Sequence, residues 1–301
     1  MSSLGTFMPH RHKLVTVVAG ASRLVLAPGF GGAVLSWTRD DEPIFRLPLP
    51  GAMQEEAPLN LASYPLFPYS NRVAGRRFNH AGKSYDLPDL MRGWAIHGAG
   101  WRLPWEAHEA AGTTTLSLDY PGGELWPFPF HAEQIFTLED AALEIQCVIA
   151  NRHDAPAPLA FGQHPFFPRS PAATLQFTAT GIQRAGPDLI PIGHTAIPPE
   201  WDHTTPRLIG SVKTDSCFTG WTGAARIAYP DRGFAIDITA DPIFANAVVF
   251  IPEGKDFMAF EPVSNITDGL NRMDGTPPPG VFILAPNEQR RGRMRFAIAP
   301  L

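Results

Sequence analysis

Apolar and polar side chains alternate with a period of two through a long series of short segments: "KLVTVVAG", "SRLVLAPG", "GAVLSWTR", "TTTLSLDYP", "EQIFTL", "LEIQCVIANR", "ATLQFTATG", "ARIAYP", "FAIDITA", "NAVVFIP", "DFMAFEP", "GVFILAP" and "MRFAIAP". That period puts successive side chains on opposite faces of an extended backbone, so each segment reads as a β-strand with one buried face. The strongest helical competitor is "LEDAALEIQCVIANRH", where Leu138, Ala142, Ile145 and Ile149 share a helical face. Against it, Leu143, Ile145, Cys147 and Ile149 alternate with Glu144, Gln146 and Val148, and the composition favours a strand. This stretch is expected to be the second arm of a hairpin. "YPDRGFAI" and "LAPNEQRRGRMRF" carry turn residues between alternating arms and predict further hairpins. Longer loops are expected around residues 48–70, 85–105, 183–215 and 264–280.

Composition strengthens this picture. The 32 prolines among 301 residues are about twice the usual share and are spread along the chain, which leaves little room for long helices. Many antiparallel strands joined by hairpins predict an all-β fold, a large antiparallel β-sandwich. No repeat or linker divides the chain, so residues 1–301 are expected to form a single domain, with 1–12 a flexible terminus that holds His10 and His12. Hydrophobic residues at 44% and charged ones at 18% support a large core and exclude disorder. A net charge of −5 leaves no basic excess for nucleic acid or an anionic membrane surface. Without a signal-peptide core or a membrane-length apolar run, a soluble, cytoplasmic protein is expected, as a monomer or homodimer. The expected partner is a small, uncharged molecule or another protein. Cys147 and Cys217 lie in apolar settings without zinc-ligand spacing, so neither a disulfide framework nor a metal site is expected.

Polar residues in aromatic or glycine-rich settings mark the candidate chemistry. In "PYSNRVAGRRF", Arg72 follows the turn-like Ser70-Asn71 pair; its guanidinium suits a fork onto hydroxyls or a carboxylate, or a surface salt bridge. In "RGWAIHGAGW", His97 lies near Trp94 and Trp101, which suit either a sugar's C–H face or the core. His164 in "FGQHPFFP" reads as a packed core residue, a metal ligand or an acid–base catalyst. Metal binding has the least support, since no partner ligands appear at suitable spacing. Asp215 precedes an apolar Cys-Phe pair in "TDSCFTGW". Glu261 closes the apolar run "DFMAF", where burial raises a carboxylate's pKa towards a general base's range. Alternation puts Phe257, Ala259 and Glu261 on one face. No serine elbow, Walker loop, dinucleotide fingerprint or HExxH occurs, which leaves acid–base chemistry.

In order, "SNRVAGRRFNHAGKSYDLP", "IHG", "GQHPFF", "DSCF" and "FEPVSN" resemble the aldose 1-epimerase (galactose mutarotase) family, and "APGFGGAVLSWTR" is similar to its N-terminal strand pair. The resemblance runs from about residue 20 to the C-terminus. It implies a single large β-sandwich that interconverts the α and β anomers of free aldoses without a cofactor. It also implies Glu261 as general base and His164 as general acid on opposite sides of the sugar ring, with a sugar-sized gap between them. Arg72, His97 and Asp215 match its sugar-binding positions, and Asn71 supports Arg72.

Two alternatives accompany this reading. Arg76 and Arg77, beside Arg72 in "NRVAGRRF", would suit a phosphate if they faced the site, which keeps a hexose-6-phosphate 1-epimerase in view; otherwise they point to solvent. A catalytically silent sugar-binding protein on the same fold is the other, since fold does not fix function.

Overall fold

The computed structural model describes residues 13–54, 57–211, 213–275 and 278–301; the terminal segment with His10 and His12 lies outside them. The expected alternation is visible as burial. Along the strand Phe130–Glu139, every second residue is buried, and it pairs antiparallel with Ala142–Asn151 in the register Leu138↔Leu143. The helical competitor is thus a strand, with Leu143, Ile145, Cys147 and Ile149 fully buried on one face. Ala224–Tyr229 and Phe234–Ala240 form the hairpin expected at "YPDRGFAI".

The expected hairpin at "LAPNEQRRGRMRF" does not form. Phe282–Leu284 pairs with Ala157–Leu159, whereas Gln289–Pro300 enters the large sheet between Ala142–Asn151 and Phe234–Ala240. Asn151 diverts the two arms: its amide donates to the carbonyls of Ala155 and Leu284, and its backbone bonds to Glu288 and Asn287 at the turn.

Two antiparallel sheets dominate, one of nine strands and one of eight. Their facing sides share one apolar cluster, with Leu143, Ile145 and Phe296 from the first and Phe218, Val249, Met258 and Phe260 from the second. Rings meet across the gap, Phe177 with Phe260 at 5.3 Å and Phe167 with Phe296 at 6.1 Å between centroids. This is the expected β-sandwich.

The outer face of the eight-stranded sheet is covered too. A second apolar cluster there holds Cys217, Val248 and Ala259 from the sheet, beneath Tyr64, Ile96 and Trp101 from the covering loops. The strand Phe257–Val263 therefore feeds both layers: Met258 and Phe260 face the sandwich core, and Phe257, Ala259 and Glu261 face the outer layer. The loop expectation for 183–215 is only partly met, because the strand Pro191–Thr195 lies inside it. Thr214–Thr219, paired on both sides and buried over most of its length, likewise escapes alternation-based reading, since a strand buried on both faces shows no polar alternation. No helix among the described residues is long and apolar enough to cross a membrane.

Candidate functional site

A two-residue pairing builds one wall of the site. Arg72 stands opposite Ile96, which sets Asn71 beside His97. The Asn71 N–H donates to His97 Nδ1 and the His97 N–H to the Asn71 carbonyl, each at 3.1 Å. A neutral His97 therefore carries its proton on Nε2. Asn71 and His97 both adopt left-handed backbone, at φ 60° and 62°. Gly98 follows at φ 69°, where an added Cβ would stand 2.3 Å from the Phe67 carbonyl oxygen, so only glycine fits. The Asn71 side-chain oxygen accepts the Arg72 backbone N–H at 2.8 Å and its Nη1 at 3.3 Å. So held, the guanidinium lies 3.7 Å from Asp215 Oδ2 and 5.8 Å from the Trp94 ring centre.

His164 and Glu261 come from the sheet side. The His164 N–H donates to the Tyr64 carbonyl at 3.0 Å, and its ring stacks on Tyr64 with centroids 4.5 Å apart. Phe166 lies 4.4 Å from the same imidazole and His97 stands edge-on at 5.5 Å. Behind Phe166, the buried Arg46 guanidinium covers its ring at 3.8 Å. The imidazole Nε2 of His164 approaches Glu261 Oε1 to 3.1 Å, with the residues 6% and 2% exposed. The expected sugar-sized gap between base and acid is absent. The two groups touch because His164 lies between Gly162–Gln163 and Phe166–Pro168, both of which pair with Phe257–Val263, the strand of Glu261.

Burial sets the electrostatics. It pushes the Glu261 carboxyl well above its usual range, with the Asp215 charge adding and Arg72 opposing. It lowers His164 to about 3, with Arg46 adding, and it lowers His97 too, helped by His164 and Arg72. Asp215 is raised by burial against the pull of Arg72. Both members of the contact pair thus favour neutral forms. A carboxylic acid beside a neutral imidazole holds the same number of protons as a carboxylate beside an imidazolium, so the proton moves between Oε1 and Nε2 without net charge change. Glu261 Oε2 and Arg72 Nε are buried without a hydrogen-bond partner among the described residues. Such atoms cost about 1–3 kcal/mol each unless something polar meets them, which native folds tolerate chiefly where they function.

All the residues singled out in the sequence as sugar-handling converge here. Arg76 and Arg77 do not: both are exposed, and Arg77 bonds to Asp86 at 2.6 Å. Trp101 is fully buried and donates to the Ile96 carbonyl, so it is core rather than platform. Sequence reasoning missed Tyr64 and Arg46, whose only signals are an aromatic-proline setting in "SYPLFPYSN" and a basic residue in the apolar "PIFRLPLP". Cys217 lines the small pocket with Arg72, Asp215, Gln183 and Thr267, and burial pushes its thiol up to about 12, which leaves it unreactive. No group of His, Cys, Asp or Glu among the described residues is arranged to hold a metal. The larger cavity, of about 420 Å³, lies beyond Gln183 and contains neither Glu261 nor His164. The convergence of buried titratable groups, not cavity size, marks the chemical centre.

Residues 13–297 match the family model for aldose 1-epimerase. The chain belongs to the aldose 1-epimerase family. The uncharacterized protein YphB of Escherichia coli is 27% identical over 280 residues, covering 89% of this chain and 93% of that protein. A solved structure of a candidate aldose 1-epimerase from Escherichia coli K12 superposes with a TM-score of 0.87 at 25% identity, covering 96% and 99% of the two chains. The galactose 1-epimerase of Lactobacillus acidophilus shares the fold at a TM-score of 0.76 and 14% identity, over 95% of this chain and 94% of that one. The aldose 1-epimerase fold is thus present over nearly the whole chain.

Proposed function

We propose that this chain is an aldose 1-epimerase that interconverts the α and β anomers of an aldose, with Glu261 as base and His164 as acid. The observation that carries the reading is their buried contact at 3.1 Å beside the Arg72–Asp215 pair. Ring opening removes the proton from O1 while O5 gains one: the O1–H electrons form the C1=O1 bond and the C1–O5 bond breaks. Rotation about C1–C2 and the reverse transfers close the other anomer, so the protons balance over the cycle.

O1 and O5 are both bonded to C1, so base and acid need not flank the ring. Two adjacent groups that meet the sugar from one side serve as well, and the contact pair provides that arrangement. Burial makes Glu261 a stronger base and protonated His164 a stronger acid than either is in water. Arg72, Asp215 and His97 hold ring hydroxyls so that C1 stays in register with the pair, and Asn71 fixes Arg72.

The test is polarimetry of freshly dissolved α-D-glucose and α-D-galactose. Faster approach to rotational equilibrium supports the reading. A preparation that accelerates neither these nor any other aldose overturns it.

A further inference from the structure

The chain that leaves the strand of Glu261, "SNITDGLNR" at residues 264–272, bonds to residues 70, 72 and 74 of the loop that carries Arg72. Asn265 brackets Ser70: its side-chain oxygen accepts the Ser70 N–H at 2.9 Å, and its amide donates to the Ser70 carbonyl at 3.0 Å. Asp268 then takes the next two positions. Its N–H donates to the Arg72 carbonyl and its Oδ1 accepts the Ala74 N–H, each at 3.0 Å. At the near end of the segment, the Ser264 N–H donates to the Phe161 carbonyl at 2.9 Å and Ser264 Oγ accepts the Phe161 N–H at 3.0 Å. One short segment thus ties together the chain around Glu261, Arg72 and His164.

Asp268 stands out within it. It is 4% exposed and adopts left-handed backbone at φ 60°. The Asn271 amide donates to the same Oδ1 at 2.8 Å and to the Arg77 carbonyl at 2.9 Å, while Asp268 Oδ2 lies 3.4 Å from Arg272 Nε. A buried carboxylate and a left-handed non-glycine residue each cost energy, and here both go into fixing the chain around Arg72. The Arg72 side chain needs that fixing. Its guanidinium meets Asn71 Oδ1 at 3.3 Å and Asp215 Oδ2 at 3.7 Å, long contacts that leave the head of the side chain to follow its backbone.

We propose that Asp268 is a positioning residue for the sugar site: by gripping the Arg72 carbonyl and the Ala74 N–H, it sets the guanidinium in register with Glu261 and Asp215. The inference rests on the reading of Arg72 as a sugar contact and deepens it.

Polarimetric kinetics of two variants test it. Asp268→Ala leaves the Ala74 N–H without its acceptor and should raise KM about ten-fold, with kcat within about two-fold of the parent. Ala74→Pro deletes the same bond from its other end. Val73 before it is extended, at φ −116° and ψ 122°, and Ala74 opens a helical turn, so proline fits there and should repeat the rise in KM. In an Arg72→Ala background, Asp268→Ala should add nothing further to KM, since it acts through Arg72. An unchanged KM with a lowered Tm in Asp268→Ala overturns the proposal, as does a rise in KM that is equal with and without Arg72. Should Asp268→Ala fail to fold, Ala74→Pro decides in its place, and a parent-like KM there overturns the proposal. If the parent turns over no aldose, the activity reading fails by itself, and crystal structures of the parent and Ala74→Pro decide the positioning. A guanidinium drawn away from Asp215 in the variant supports it, and one that keeps its place overturns it.

Discussion

His164 Nε2 lies 3.1 Å from Glu261 Oε1, with both side chains buried and the strands on either side of His164 paired with the strand of Glu261. This contact makes the pair one proton-holding unit, and its consequences are measurable.

Glu261→Gln and His164→Ala should each lower kcat by about 10² or more, the usual contribution of one acid–base group. Because the two act as a unit, the double variant should be little worse than the more damaged single. Steady-state polarimetry checks both points, and near-normal turnover in Glu261→Gln would sink the assignment.

Folded stability should depend on pH through Glu261 with a definite sign. Its pKa is raised by burial, so the folded state binds the proton more tightly than the unfolded chain. The stability this confers is full below the unfolded value, near 4.3, and is lost as pH rises from there through the folded pKa. Glu261→Gln does not titrate. Its Tm relative to the parent should therefore climb with pH across that window, by up to about 1.4 kcal/mol of stability per pH unit. His164, lowered to about 3, acts in the opposite sense: its contribution is present above about 6.5 and is lost as pH falls towards 3. Melting curves of parent, Glu261→Gln and His164→Gln between pH 4 and 8 separate the two.

If Arg72 and Asp215 hold ring hydroxyls as proposed, Arg72→Ala or Asp215→Ala should mainly raise KM. Arg72→Met should in addition move the alkaline limb of kcat/KM upward, because Arg72 is the cation that opposes the raised pKa of Glu261. An unchanged KM in both alanine variants would place the sugar elsewhere.

Tyr64→Phe should leave turnover within a few-fold, because the stacked ring supports His164. Tyr64→Ala removes that ring and should cost about 3 kcal/mol of stability and lower kcat with little effect on KM. Equal kcat loss in both variants would instead assign the role to the hydroxyl.

Gly98→Ala should destabilise the chain by about 1–3 kcal/mol, through its left-handed backbone and the Cβ clash with the Phe67 carbonyl. The displaced turn carries His97, so KM should rise as well, as thermal melts and kinetics on one sample will show.

Much of the fold was legible because a strand with one buried face writes its period into the chain. "EQIFTL" and "MRFAIAP", which lie inside the strands Phe130–Glu139 and Gln289–Pro300, are found this way. Thr214–Thr219 was not, since it sits inside its sheet and is buried on both sides. The misread hairpin at "LAPNEQRRGRMRF" failed for another reason: local turn chemistry was right, but Asn151 claims the turn from a distant strand.

The sequence by itself determined that the chain is β-rich, and it named Glu261, His164, Arg72, His97, Asp215 and Asn71, because residue type and local order are properties of the chain. Tertiary structure alone decided that Glu261 and His164 touch, that Tyr64 and Phe166 flank the imidazole with Arg46 behind Phe166, and that Arg76 and Arg77 stand apart in solvent. Those are matters of strand pairing between remote segments and of which face of a sheet a side chain takes. No local pattern encodes either.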